Sequence, residues 1–234
     1  MLIPTYFWHT ISVMVMTTYG GVGRHTMDRK GLFITLEGID GCGKSTQAKL
    51  LIDAIEGAGR EVVHLRDPGS ARLSEKIRLV LLDPRNDDMC DECELMLYEA
   101  ARAQMVRELV VPSLKHGSVG LCDRYSDSTF AYQAGGRGLS EEMIRSANKI
   151  GTCGLMPDAT LLFDIDPSKA LGRATQQGAD RLEAAGFAFQ RRVRDAYLRL
   201  AEEEKPRMRV VDATGSVEVV SLRAKQALSD ILSL

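Results

Sequence analysis

The chain has 234 residues, 44% hydrophobic and 26% charged, enough for one α/β domain with a substantial core. Thirty Lys and Arg against 32 Asp and Glu leave a formal net charge of −2, so no global positive field favours a nucleic acid, and a free nucleotide is the better-matched partner. No composition shift, repeat or low-complexity tract divides the chain, and no apolar run reaches membrane-spanning length.

Residues 1–26 contain no acidic residue and precede a second methionine, Met27, which opens the stretch MDRKGLFITLEG. Ile11 to Met16 is too short an apolar run for a secretory signal, and the single Arg24 is too little basic character for an organellar presequence. A flexible tail, or a start codon assigned too far upstream, is the expectation for residues 1–26, with the folded domain over 27–234. Leu32 to Leu36 predicts a buried strand, and the segment from Ser45 onward predicts an amphipathic helix. Between them Gly38-Ile39-Asp40-Gly41-Cys42-Gly43-Lys44-Ser45-Thr46 fits the pattern GxxxxGK[ST] at every fixed position. In such a loop, backbone N–H groups and a helix N-terminus converge on phosphate oxygens, and glycines remove the Cβ atoms that would block the approach. Lys44 can reach the β- and γ-phosphates and the Ser45 hydroxyl can ligate magnesium, so the stretch predicts a nucleoside triphosphate site. Asp40 either orients substrate or metal-bound water, or simply forms the turn before Gly41.

Val62 to Leu65 predicts a second strand, followed by the turn Arg66-Asp67-Pro68-Gly69-Ser70 and an amphipathic helix through Ser74 to Leu82. A long helical pattern from Asp91 to His116 carries Tyr98 and Arg102, four apart and therefore on one face. Periodicity alone reads that pair as a half-buried tyrosine and a solvated arginine. The third strand, Val119 to Cys122, delivers Asp123-Arg124-Tyr125 at its C-terminal end; Ala159 to Ile165 and Met208 to Val211 are the remaining strands. Ser140 to Ile150, Phe187 to Leu200 and Val217 to Leu234 show helical amphipathicity. Five strands alternating with helices predict a mostly parallel sheet covered on both faces, with ligands beyond the strands' C-terminal ends. The five cysteines are odd in number and scattered, which suits a reducing cytosol, and the isolated Cys90/Cys93 pair reads as incidental thiols rather than a zinc site.

The phosphate loop alone does not separate a kinase from a nucleotide-dependent switch. Asn148-Lys149-Ile150-Gly151 imitates the guanine-reading NKxD element, but Gly151 replaces the aspartate, and Asp212-Ala213-Thr214-Gly215 spells DxxG on the wrong side of it. A GTPase is thereby excluded. The set EGIDGCGKST (37–46), RDPG (66–69), YEAARAQ (98–104), DRYSDSTFAYQAGGRGL (123–139) and DRLE (180–183), in this order, resembles thymidylate kinases of the bacterial type within the P-loop nucleoside monophosphate kinases, from about Met27 to the C-terminus.

The resemblance implies a P-loop NTPase three-layer sandwich, a five-stranded parallel sheet with helices on both faces and a short lid over about 173–185. It implies transfer of the γ-phosphoryl group of ATP to dTMP with Mg2+, in a cytoplasmic homodimer, without nucleic acid or membrane partners. The ring of Tyr98 would stack on the pyrimidine, while Arg102 donates to a base carbonyl such as O4. Arg124 would grip the acceptor phosphate, with Asp123 holding magnesium-bound water and Arg66 adding a further cation; relatives usually carry Glu where this chain has Asp67. Tyr132 would lie near the sugar 2′ position, with Thr129 and Gln133 completing that wall or merely packing. Relatives place a catalytic arginine either in the phosphate loop, where this chain has Gly41, or in the lid, where Thr175, Gln176 and Gln177 leave Arg173 and Arg181. A kinase for another nucleoside monophosphate such as dUMP, and a catalytically silent nucleotide-binding regulator, are the rival readings. Replacing Arg173 or Arg181 by alanine is expected to lower kcat far more than ATP affinity in steady-state assays; unchanged turnover in both variants would remove the lid from the mechanism.

Overall fold

The computed structural model describes residues 30–174 and 186–234. Strands β1 (Phe33–Glu37), β2 (Val62–Arg66), β3 (Val119–Asp123), β4 (Ala159–Asp164) and β5 (Met208–Asp212) form a wholly parallel sheet in the order β2-β3-β1-β4-β5. All of β1 is buried, and β4 is buried through Phe163, as near-continuous apolar strands covered on both faces must be. Phe33 and Ile34 are adjacent in β1 yet belong to separate apolar clusters, one with Leu65, Met105, Leu114 and Tyr125, the other with Leu51, Ile55, Leu161 and Phe163. Because β3 and β4 flank β1, the chain reverses its direction of travel across the sheet there. That reversal opens a crevice beyond the C-terminal ends of β1 and β3.

The helices are α1 (Lys44–Gly57), α2 (Arg72–Leu82), α3 (Asp91–Met105), α4 (Val111–His116), α5 (Ser126–Thr129), α6 (Glu141–Gly151), α7 (Pro167–Ala174), α8 (Phe187–Glu203) and α9 (Val217–Leu228). The helix expected from Asp91 to His116 is continuous but widens to a π-helical stretch over Val106–Val110. Pro112 has no N–H for the Glu108 carbonyl and its ring crowds that oxygen, so the preceding turn opens. None of the described helices is long and apolar enough to cross a membrane.

Three further features depart from the sequence expectation. The DRYSDSTFAYQ segment continues from β3 into α5 and a second π-helical stretch, Phe130–Gly136, which amphipathic spacing does not announce because Ser126, Asp127, Thr129 and Gln133 are buried polar residues. Helix α7 starts at Pro167, with the Asp166 carboxylate accepting from the N–H of Ser168 at 2.8 Å, a cap in the place where only a strand end was read. Helix α9 stops at Leu228 rather than Leu234, where the Ser229 hydroxyl donates to the Gln226 carbonyl at 2.8 Å and competes with the helical ladder. Helix α8 lies tight against the Phe130–Gly136 stretch: a Cβ on Gly135 would sit 2.4 Å from the Ala196 methyl, and one on Gly136 would sit 2.6 Å from the Phe189 ring. That close approach carries Tyr197 of α8 to the sheet edge.

Below that edge Asp127 accepts from both terminal nitrogens of Arg207, at 2.7 and 2.9 Å, and from the Thr160 hydroxyl at 3.1 Å. The pair is almost wholly withdrawn from water, with side chains 4% and 12% exposed. Asp127→Ala removes the buried partner of the Arg207 guanidinium and leaves it the part-exposed Glu204 at 3.2 Å, and is expected to cost about 3 kcal/mol in urea unfolding, against less than about 1 kcal/mol for a surface pair.

Candidate active site

The loop from β1 to α1 turns through positive φ at Gly38, Gly41 and Gly43. A Cβ at Gly38 would lie 2.5 Å from the Phe163 carbonyl oxygen, and one at Gly41 would lie 2.4 Å from that of Ala170. The loop is therefore pressed onto β4 and α7, and position 41 has no room for a side chain in this conformation. Lys44 is buried, and its ammonium donates to the carbonyls of Gly38 and Ile39 at 3.0 and 3.1 Å. Phosphate oxygens are stronger, charged acceptors for the same ammonium.

Across the crevice, the parallel register sets Leu36 opposite Asp123, so Arg124 emerges beside the loop. Arg124 adopts φ 68, uncommon for a residue with a side chain, while its N–H donates to the Leu36 carbonyl at 2.9 Å. Its Nη2 pairs with the Asp40 carboxylate and donates to the Tyr132 hydroxyl at 3.1 Å; Nη1 donates to the Gly38 carbonyl at 3.1 Å. The Tyr132 hydroxyl in turn donates to Asp40 at 2.9 Å, and the guanidinium stands 4.9 Å from the Tyr132 ring centre. Burial alone would raise the Asp40 pKa, but Arg124 and Lys44, with the Tyr132 hydroxyl, hold it below the ordinary carboxylate value. Burial would likewise lower Arg124, and the Asp40 carboxylate reverses that, keeping the guanidinium charged.

Arg102 lies deeper, 1% exposed, with every donor engaged. Its Nε donates to Asp67 at 2.5 Å, Nη1 to Glu99 at 2.6 Å and Asn148 at 2.9 Å, and Nη2 to the Thr129 hydroxyl at 2.6 Å and the Tyr125 carbonyl at 3.4 Å. Burial pushes the carboxyls of Asp67 and Glu99 up, against the pull of Arg102. One oxygen of each, Asp67 Oδ1 and Glu99 Oε2, is buried without a hydrogen-bond partner among the described residues.

These groups line one cavity of about 670 Å3. It contains Asp40, Gly41, Cys42, Gly43, Lys44, Ser45 and Thr46 of the loop together with Arg66, Tyr98, Arg102, Asp123, Arg124, Thr129, Tyr132 and Gln133. Gly38 and Ile39 contribute the carbonyls that hold Lys44 rather than cavity wall. Gln133 donates to Glu94 at 2.7 Å, and Arg66 sits on the rim in a two-pronged pair with Glu75 at 2.8 and 3.3 Å. The side chain of Arg173, and Arg181 altogether, lie outside the described residues.

Several lining residues escaped the sequence reading. Arg78, which donates to the Pro68 carbonyl at 2.9 Å, carried no signal beyond a helical charge. Ala213, Gly215, Ser216 and Val217 line the cavity where α1 meets α9, with Gln47 donating to the Val217 carbonyl at 3.1 Å. Their turn was legible at the end of β5, but only as a misplaced DxxG. Asn148, which accepts from Arg102 without lining the cavity, carries no signal in the sequence beyond a false NKxD.

For a metal, the donor set is spare. Among the described residues no three His, Cys, Asp or Glu side chains cluster to hold an ion. Ser45 and Asp123 both line the cavity, and Asp123 Oδ1 is buried with no hydrogen-bond partner among the described residues. An orphaned carboxylate oxygen beside a phosphate cradle fits magnesium, which keeps several waters and takes few protein ligands alongside phosphates.

A phosphate loop at the topological reversal of a parallel sheet, sharing one cavity with the buried Arg102 and the part-buried Arg124, is the arrangement of a nucleoside monophosphate kinase, a phosphotransferase. A family model described as thymidylate kinase matches residues 36–223. The thymidylate kinase of Pelobacter propionicus is 46% identical over 198 residues, covering 82% of this chain and 90% of that protein. That of Desulfosudis oleivorans is 45% identical over 208 residues, covering 86% and 97%. The crystal structure of thymidylate kinase from Ehrlichia chaffeensis superposes with a TM-score of 0.69 at 30% identity, covering 85% of this chain and 98% of that one. The chain belongs to the thymidylate kinase family.

Glu37, at the end of β1, is fully buried; burial, reinforced by Asp127, pushes its carboxyl up to about 7 despite the opposing Ser128 and Tyr197 hydroxyls and Arg124. Its folded pKa lies above the unfolded value of 4.5, so the folded state binds the extra proton, and stability falls as pH rises from 4.5 to about 7. Glu37→Gln removes this titration. Urea unfolding across that window is expected to shift in favour of the variant by on the order of 3 kcal/mol relative to wild type, whereas a pH-independent difference would mean that Glu37 stays ionised throughout.

Proposed function

We propose that this chain transfers the γ-phosphoryl group of ATP to dTMP, giving dTDP and ADP. The observation that carries the reading is the pairing of Arg124 with Asp40, which joins a second cation-bearing subsite to the phosphate loop within one cavity. The acceptor is already an anionic phosphate oxygen, so no strong base is required; positioning and charge neutralisation supply the catalysis. Lys44 leaves the Gly38 and Ile39 carbonyls for the β- and γ-phosphates. Ser45 and Asp123 would hold magnesium, which would neutralise phosphate charge. Arg124 grips the acceptor phosphate while Asp40 keeps the guanidinium aimed, and Arg173 or Arg181 brings the cation for which Gly41 has no space.

Tyr98 stacks on the thymine, and Tyr132 bounds the sugar with Thr129 and Gln133. With all five Arg102 donors engaged, reading thymine O4 means exchanging one of them, and the 3.4 Å contact of Nη2 with the Tyr125 carbonyl is the longest and cheapest to give up. Arg66 turns from Glu75, its exposed partner, toward the acceptor phosphate. Residues 173–185 act as the lid. We also place the enzyme in the cytoplasm as a homodimer, in keeping with five unpaired cysteines and with the exposed apolar side chains Leu73 and Val80 on α2 and Met96 on α3.

An ADP-release assay with dTMP, dUMP, dCMP and AMP tests the reading. The highest kcat/KM is expected for dTMP, with dUMP about ten- to a hundredfold lower for the missing methyl, and turnover is expected to vanish with EDTA. Equal rates with dCMP would overturn the acceptor assignment, and ATP binding with no turnover of any acceptor would favour a silent nucleotide-binding protein.

A further inference from the structure

Behind Arg124, on the side away from Asp40, three oxygens from three elements form a closed triangle. Glu37 Oε2 of β1 accepts from the Ser128 hydroxyl of α5 at 2.6 Å and from the Tyr197 hydroxyl of α8 at 2.7 Å, and the two hydroxyls are 2.8 Å apart. Arg124 Nη1 donates to both hydroxyl oxygens at 3.3 Å. The other Glu37 oxygen accepts the Tyr125 N–H at 2.8 Å, which ties the triangle to the backbone that follows the arginine. Glu37 is 0% and Tyr197 1% exposed, so neither meets solvent, and neither lines the cavity.

The division of labour along the guanidinium follows from these partners. Its Nη2 edge meets Asp40 and Tyr132, while Nη1 is held by Gly38, Ser128 and Tyr197. A long flexible side chain would lose its orientation without such a rear anchor, and a planar fork recognises phosphate only when its plane is fixed. Tyr197 reaches the site from α8, far along the chain from both the phosphate loop and the DRY segment, so no motif announces it.

We infer that Tyr197, backed by Glu37, is a positioning residue for the acceptor-phosphate grip: its hydroxyl holds Nη1 of Arg124 and keeps the opposite edge of the guanidinium turned to the cavity. The inference rests on reading Arg124 as the group that binds the acceptor phosphate. Tyr197 acts through Arg124 and touches no substrate.

Tyr197→Phe keeps the buried ring and removes only the hydroxyl. In steady-state assays the variant is expected to raise the KM for dTMP about tenfold, leaving the KM for ATP within about twofold and kcat less affected than the dTMP KM. In an Arg124→Lys background, Tyr197→Phe is expected to add no further change, because the bond it breaks is already gone. Ser128→Ala, at the second corner, is expected to act in the same sense and keeps the test open should Tyr197→Phe not fold. An unchanged dTMP KM, or the same additional loss in the Arg124→Lys background, would overturn the inference and leave the triangle a packing feature. Wild-type protein that does not turn over dTMP at all would overturn the functional reading instead, which separates the two failures.

Discussion

The ion pair between Arg124 and Asp40 is the constraint on which the site depends. It can form only because β1 and β3 are parallel neighbours in a register that sets Leu36 opposite Asp123, so that the residue after each strand end enters the same crevice. An antiparallel pairing, or a slip of one residue, would send Arg124 to the opposite face of the sheet. The pair also settles the electrostatics of the loop. Asp40 stays ionised beside Lys44 and Arg124, and the cluster of two cations and one anion leaves a net positive charge where phosphates are proposed to bind. The positive φ at Arg124 belongs to the same logic, because the main chain turns sharply to present a side chain instead of continuing the ladder.

Much of this was legible in the chain for physical reasons that act locally. The phosphate loop is a contiguous segment whose glycines, lysine and hydroxyl are demanded by one geometry, and the strands announce themselves as short apolar runs ending in turn residues. What escaped was non-local or periodicity-free. Helix α5 and the π-helical stretch after it are mostly buried, so no amphipathic stripe marks them; Asp127, Thr129 and Gln133 are tolerated because each finds a partner from a distant segment, while the Ser126 hydroxyl is buried with none among the described residues. Tyr197 and Glu37 are 160 positions apart, and only the glycine-lined contact of α8 with that stretch brings them together. The widened turn before Pro112 could have been read from the proline itself, whereas the end of α9 at Leu228 is set by a serine that donates to its own helix.

The buried arginines show how the two halves of the cavity are built by different means. Arg124 shares the Asp40 carboxylate with the nearby Lys44 and otherwise meets neutral oxygens, so the two cations and one anion keep a surplus positive charge for an incoming anion. Arg102 is held by two carboxylates, Asp67 and Glu99, which leave no surplus positive charge there before any ligand arrives. A phosphate would gain little from Arg102, and a neutral base carbonyl gains directionality without the repulsion that a bare anionic pocket would impose. The placement of charge thus sorts the cavity into an end suited to phosphate and an end suited to a neutral ring.

The rim follows a third rule. Arg66 is about half exposed and its side chain is bound, among the described residues, to Glu75 alone, and a pair of that kind contributes about 0–1 kcal/mol because water screens it. Exchanging Glu75 for a phosphate therefore costs little, whereas exchanging Asp67 away from Arg102 would strand a fully buried charge at about 3–5 kcal/mol. The Asp67 carboxylate reaches Arg102 while leaving Oδ1 buried with no hydrogen-bond partner among the described residues. A carboxylate in that state is held by geometry rather than by full satisfaction of its hydrogen bonds. The Arg102 cluster is accordingly the rigid end of the cavity and the Arg66 rim the adaptable one, with Arg124 between them held from behind by hydroxyls and open in front to the cavity.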